Sequence, residues 1–133
     1  MKVEIQEWYD LGQCAENPHK LYVFGDNMIR VGEGGQASVR KAANSIGIAT
    51  KRLPTMGANA FFSDKIDEAK TILSDLQNVI NTFHTGDYEV IVLPKDGLGT
   101  GLAKMPINSP RLFHWLNESI SLLFDVEYTP KKK

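Results

Sequence analysis

Two apolar strands that each run straight into a glycine-rich loop constrain this chain more than any other feature. The first is Leu21-Tyr22-Val23-Phe24, followed by a segment from Gly25 to Gln36 that holds Gly32, Gly34 and Gly35. The second is Tyr88-Glu89-Val90-Ile91-Val92-Leu93, entered from Thr85-Gly86-Asp87 and closed by Pro94. A β-branched run of that kind reads as a strand buried on both faces. Beyond it, Gly97, Gly99 and Gly101 alternate with Leu98, Thr100 and Leu102. Glycine permits positive φ and close approach of a ligand to main-chain N–H groups. Several N–H groups turned one way form a concavity suited to phosphate. One such loop reads as ordinary tight turns. Two, both leaving strands toward helices, argue for a site, because ligands of open α/β sheets bind beyond the carboxyl ends of the strands. Neither loop is a P-loop, since no Gly-Lys-Ser/Thr follows, and neither has dinucleotide-fingerprint spacing.

Helix and strand patterns alternate around these loops. Lys2 to Trp8 alternates as an edge strand would. Asp10 to Lys20 reads as a loop or one helical turn. Ala37 to Ile46 puts Val39, Ala42, Ala43 and Ile46 on one helical face and Arg40, Lys41 and Asn44 outside, with Gly47 as C-terminal cap. Ile48 to Lys51 reads as a short strand. Residues 52–62 have no period and end in an exposed-looking Phe61-Phe62 pair. Ser63-Asp64 opens the strongest helix pattern. Ile66, Ala69, Ile72, Leu73, Leu76, Val79, Ile80 and Phe83 form its core stripe, with Asp64, Asp67 and Glu68 in the first turn. Ser109-Pro110 has the form of a helix start. Residues 110–118 form that helix with Leu112, Phe113 and Leu116 inward. Residues 119–128 extend it or return as a strand, and a short strand is the preferred reading. The expected class is α/β, with helices on both faces of a mixed sheet.

The chain has 133 residues, which suits one domain over 1–128 and a basic tail, 129–133. At 42% apolar residues it can fill a core, and a net charge of −1 supplies no field for a nucleic-acid backbone. Cys14 is the one cysteine, so no internal disulfide forms. No apolar run has the length of a membrane span or a leader, which leaves a cytoplasmic protein as the expectation.

At the glycine loops the chain resembles the macro domain, the ADP-ribose-binding fold. Asn27 at a strand end, with Gly32-Glu33-Gly34-Gly35 opening five residues later, matches the family's spacing. Pro94 to Leu102 is similar to its second loop. Ile48-Ala49-Thr50-Lys51 resembles the strand of the branch that removes ADP-ribose from acidic side chains. The resemblance implies a compact three-layer α/β/α module. It also implies a nucleotide ligand such as ADP-ribose, free or carried by an ADP-ribosylated macromolecule, and no cofactor.

It implies roles for particular residues too. The ligand loops would be Gly32, Gly34, Gly35 and Gln36 on one side and Gly97, Leu98, Gly99, Thr100 and Gly101 on the other. Ser38, like Gln36, stands at a helix start and is a phosphate candidate. Asn27 would hold a ribose hydroxyl or orient a water; a turn role is its plainer alternative. Asp26 would accept an adenine amino group or cap a turn, and both stay open. Lys51, at the end of a buried strand beside two glycine loops, is a candidate for partial desolvation, which lowers a lysine pKa and makes it nucleophilic; the resemblance implies attack on the ribose anomeric carbon, and residue type alone suggests a solvated lysine beside Arg52. The acids used by hydrolytic members fall at Ala37 and Ala103 here, which leaves Asp96 as the one carboxylate inside the second loop. His19, His84 and His114 lack metal-ligand spacing, and no metal is expected. Three functions follow: a binding module, a hydrolase of ADP-ribosyl or ADP-ribose-1″-phosphate bonds using Lys51, Asp96 and Asn27, or an interaction domain with a vestigial pocket.

Overall fold

The structure is a computed structural model and describes residues 1–128. The basic tail expected at 129–133 lies outside the described residues. Four strands, β1 (Lys2–Gln6), β2 (Lys20–Asn27), β3 (Ser45–Lys51) and β4 (Val90–Pro94), form one sheet in the order β1-β4-β2-β3. Every pairing in it is parallel, so the α/β class holds and the expected mixed sheet does not. Parallel neighbours require crossovers rather than hairpins. Here α1 (Leu11–Glu16), a 3₁₀ turn (Gly35–Val39) and α2 (Ile66–Thr85) supply them. The helices α3 (Met105–Asn108) and α4 (Pro110–Leu123) follow β4. The short strand expected within 119–128 is absent. Ile120 falls four residues after Leu116 and is fully buried, so the apolar stripe of α4 runs on to Leu123.

Alternation along β2 divides the core. Leu21 and Val23 join the larger cluster with Ile72, Leu76 and Val79 of α2 and Leu112, Phe113 and Leu116 of α4. Tyr22 and Phe24 join a smaller cluster with Cys14 of α1, Val39 of the 3₁₀ turn and Tyr9. All five residues of β4 are buried, as its uninterrupted apolar run requires.

The helix expected over Ala37–Ile46 is replaced by the 3₁₀ turn and an early start of β3. Asn44 gives the reason. It is buried, not outward, and its Nδ2 donates to the carbonyls of Cys14, Asn17 and Lys20 at 2.9–3.1 Å. Those carbonyls end α1 and begin β2, so one side chain ties three segments and draws the chain out of a helical path. Gly47 is no cap; it lies in β3 opposite Phe24. Phe62 is buried at 1% exposure, which corrects the exposed pair. In α2, Ile66 and Leu73 face solvent, while Glu68 and Asp75 are buried on the inward side. Asp64 sits before α2 at φ 60° and serves α4 instead, accepting from Leu112 N at 2.8 Å. Ser109 flanks that helix without a side-chain cap bond.

Candidate functional site

The site begins where two neighbouring strands part. Pairing between β2 and β4 runs from Lys20 opposite Val90 to Tyr22 opposite Val92, yet β2 continues to Asn27. The Tyr22 N–H points to the β3 side, where Asn44 O accepts it. By alternation the main-chain groups of Val23 and Gly25 face β4. Three side chains satisfy the groups that the parting strands leave over. The Tyr9 hydroxyl donates to Val23 O and the Tyr128 hydroxyl to Pro94 O. Gln36 spans the gap: its Oε1 accepts Gly25 N at 2.8 Å and its Nε2 donates to Gly97 O at 3.1 Å. Burial pushes both tyrosine hydroxyls to higher pKa, so both stay protonated donors.

A cleft of about 270 Å³ opens above this gap, at the carboxyl ends of β2, β3 and β4. Both glycine loops reach it, as does the end of β3. From the first loop come Gly32, Gly34, Gly35 and Gln36, with Asp26 and Asn27 at the strand end. From the second come Gly99 and Gly101, and Thr50 and Lys51 close the third side. The remaining second-loop candidates stand behind the wall. Leu98 is fully buried in the larger core, and the Thr100 hydroxyl donates to Gly97 O at 3.3 Å. Asp96 is exposed and is not among the residues lining the cleft. Nor is Ser38, in the middle of the 3₁₀ turn. Ala37 and Ala103 do line the cleft, so methyl groups stand at the two positions where hydrolytic macro domains would carry an acid. Among the described residues, the N–H groups of Gly99, Gly101 and Leu102 find no acceptor. They are unspent donors beside the cavity.

The side chains at the rim are more committed than their types suggest. Asn27 Nδ2 donates to Val31 O at 2.7 Å, and its Oδ1 accepts Ile29 N at 3.1 Å. That is a side-chain-built turn, and it shapes the first loop. Asp26, 7% exposed, accepts from Asn27 N at 2.8 Å and from both terminal nitrogens of Arg40. Arg40 Nε also donates to Gly32 O at 2.7 Å, and the guanidinium lies over the Phe24 ring. Arg30 adds a second cation, 3.6 Å from Asp26, and bonds Asp75 of α2 at 2.7 Å. The other oxygen of Asp75 accepts Ala49 N on edge strand β3 at 2.7 Å. Local periodicity hides this network, because it puts Arg40 on the solvent face of a helix that does not form. A signal was present in Gly47. A glycine inside a strand pattern marks close approach, and a Cβ there would stand 2.6 Å from Asp26 Oδ2.

Lys51 is 8% exposed. Its Nζ donates to Thr55 O at 2.6 Å and lies 5.1 Å from the centroid of the Phe61 ring. Burial, and secondarily the nearby Lys104 cation, lower its pKa below the usual lysine value. It is therefore a partly desolvated cation, not the solvated strand-end lysine, and an incoming anion would be its natural counter-charge. Arg52 turns the other way, to Asp67 and Glu68 at the start of α2. Among the described residues no three His, Cys, Asp or Glu side chains gather as a metal site, and no helix is long and apolar enough to cross a membrane.

No curated protein and no solved structure matches this chain. A family model does match, over residues 4–119, a span that holds all four strands beyond the first residues of β1, both glycine loops, Lys51 and most of α4. The chain belongs to the family of unknown function DUF7831.

Proposed function

We propose that the cleft binds ADP-ribose or a related nucleoside diphosphate, and that the protein is a three-layer, macro-like binding module. One observation carries this reading: two glycine loops and a desolvated lysine converge on one cavity at the carboxyl ends of parallel strands. The free N–H groups of the second loop and the Lys51 ammonium are donors that suit phosphate oxygens. The natural ligand is the free nucleotide or an ADP-ribosylated macromolecule whose nucleotide enters the cleft.

Binding is favoured over hydrolysis on a specific ground. General acid–base chemistry needs a titratable group within reach of the reacting atom. Ala37 and Ala103 offer none, Asp26 is held by two arginines, and Asp96 is outside the cleft wall. Lys51 would have to act without a partner base. Calorimetry with ADP-ribose tests the reading. A ligand at about a hundred times its dissociation constant adds roughly 2.7 kcal/mol of stability, which a thermal-shift assay reads as several degrees. No heat and no shift at millimolar ADP-ribose, ADP or pyrophosphate would leave the vestigial-pocket alternative standing. Release of phosphate from ADP-ribose-1″-phosphate, or of ADP-ribose from an ADP-ribosylated protein, would restore the hydrolase.

A further inference from the structure

We infer that the cleft reads the diphosphate of its ligand and is blind to the base, because its only lining carboxylate among the described residues is already spent on holding the first glycine loop. The inference rests on the diphosphate reading above and narrows its ligand class.

Telling one nucleobase from another requires acceptors and donors set against the base edge. An exocyclic amino group needs an acceptor, and a carboxylate is the strongest that a protein offers. Among the described residues that line the cleft, Asp26 is the one acid. Its valences are occupied. Oδ1 accepts Asn27 N at 2.8 Å and one Arg40 nitrogen, while Oδ2 accepts the other Arg40 nitrogen at 3.0 Å and has Arg30 at 3.6 Å. The carboxyl group also lies against the bare face of Gly47, where a Cβ would stand 2.6 Å from Oδ2. The amide of Gln36 is spent between Gly25 N and Gly97 O, and both polar atoms of Asn27 are engaged by the loop that they shape. Apart from Thr50, whose hydroxyl donates to Asp26 O, and Lys51, which offers no acceptor, the lining side chains that remain are apolar, among them Val31 and Leu102, each more than half exposed, and Pro54. Such surfaces give a planar ring contact area without reading its edge.

Arg40 is thereby a positioning residue. It joins Asp26, at the end of β2, to the Gly32 carbonyl of the first loop, and does not itself line the cleft.

The experiment is calorimetric titration of the intact chain with ADP, GDP, CDP and UDP, repeated on Asp26→Asn and Arg40→Lys, with amide exchange over residues 32–36 recorded without ligand. The expected result is four affinities within about threefold of each other. Both variants should weaken all four by a similar factor, tenfold or more, and should speed exchange at Gly32 to Gln36. A tenfold preference for one base in the parent, or a loss confined to adenine in Asp26→Asn, would overturn base-blindness while leaving the diphosphate reading intact. Failure of all four diphosphates to bind the parent would overturn both. Unchanged exchange in Arg40→Lys, with affinity also unchanged, would overturn the positioning role.

Discussion

The two glycine loops look alike in the sequence and are built by opposite means. The first is held by polar side chains. Asn27 folds it back on itself, Arg40 clamps Gly32 O, and Gln36 links its base to the second loop. Its outer residues Ile29, Val31, Glu33 and Gly34 are exposed. The second loop is held by the core. Leu98 and Met105 are fully buried, and Met105 N closes the turn on Gly99 O at 2.9 Å. Gly99 takes φ 89° with its missing Cβ pressed toward Met105. A loop anchored by apolar burial keeps its shape as long as the domain is folded. A loop anchored by ion pairs and amides depends on each partner being present. The first loop is therefore the adjustable wall of the cleft and the second is the fixed one.

The sharpest way to break this contrast is Gly99→Val. A Cβ at Gly99 would meet Met105 Sδ at 2.3 Å, and valine is strained at that φ. Overpacking and backbone strain together should cost about 2–4 kcal/mol, read by urea denaturation. The substitution is consequently a test of the core anchor and not of phosphate binding. A parent-like denaturation midpoint would show that the second loop is free of the core.

Arg40→Ala should rank next, at about 2 kcal/mol. It leaves the buried Asp26 with the Asn27 N–H and the longer Arg30 contact, which offset part of the usual cost of an orphaned charge. Arg40→Ala/Asp26→Ala should be less destabilised than the sum of the single changes. Additive losses would mean that the pair does not hold the first loop.

Lys51→Met should weaken ADP-ribose ten- to hundredfold, the worth of one charge-assisted contact of about 1.5–3 kcal/mol. Its stability effect has the opposite sign. With the folded-state pKa below the ordinary lysine value, the unfolded chain holds the extra proton over the interval between them. Stability from Lys51 therefore rises as pH climbs through that window, and is lowest below it. The gap between Lys51→Met and the parent should favour the variant at neutral pH and narrow toward pH 10. A gap independent of pH would place Lys51 in water.

Gly101→Val is the smallest expected change in stability, within about 0.5 kcal/mol, because nothing lies within 4 Å of a Cβ there and its φ is not positive. Its branched side chain would nonetheless stand at the cleft wall, so ligand affinity should fall with the denaturation curve unmoved. Undiminished affinity would take Gly101 out of the phosphate cradle.

Much of this molecule was legible in the chain as written. The continuous apolar run to Pro94 required a central strand, the stripe from Ile72 to Phe83 required a helix, and the two loops at strand ends required a common edge once the strands were parallel. Local patterns reach that far because periodicity and glycine placement act over a few residues. They misled where a distant partner competes. Ala37 to Ile46 has a helical stripe, but three carbonyls from α1 and β2 claim Asn44. Ile66 and Leu73 fit the α2 stripe, but the inward positions at Glu68 and Asp75 serve Arg52, Arg30 and the Ala49 N–H. The chain alone thus determined that two backbone cradles exist, since only glycine supplies bare main chain. Tertiary structure alone decided which side chains are left to face a ligand. Whether Asp26 and Gln36 are free or spent depends on partners 11 to 61 residues away, and no local pattern records a hydrogen bond across that distance.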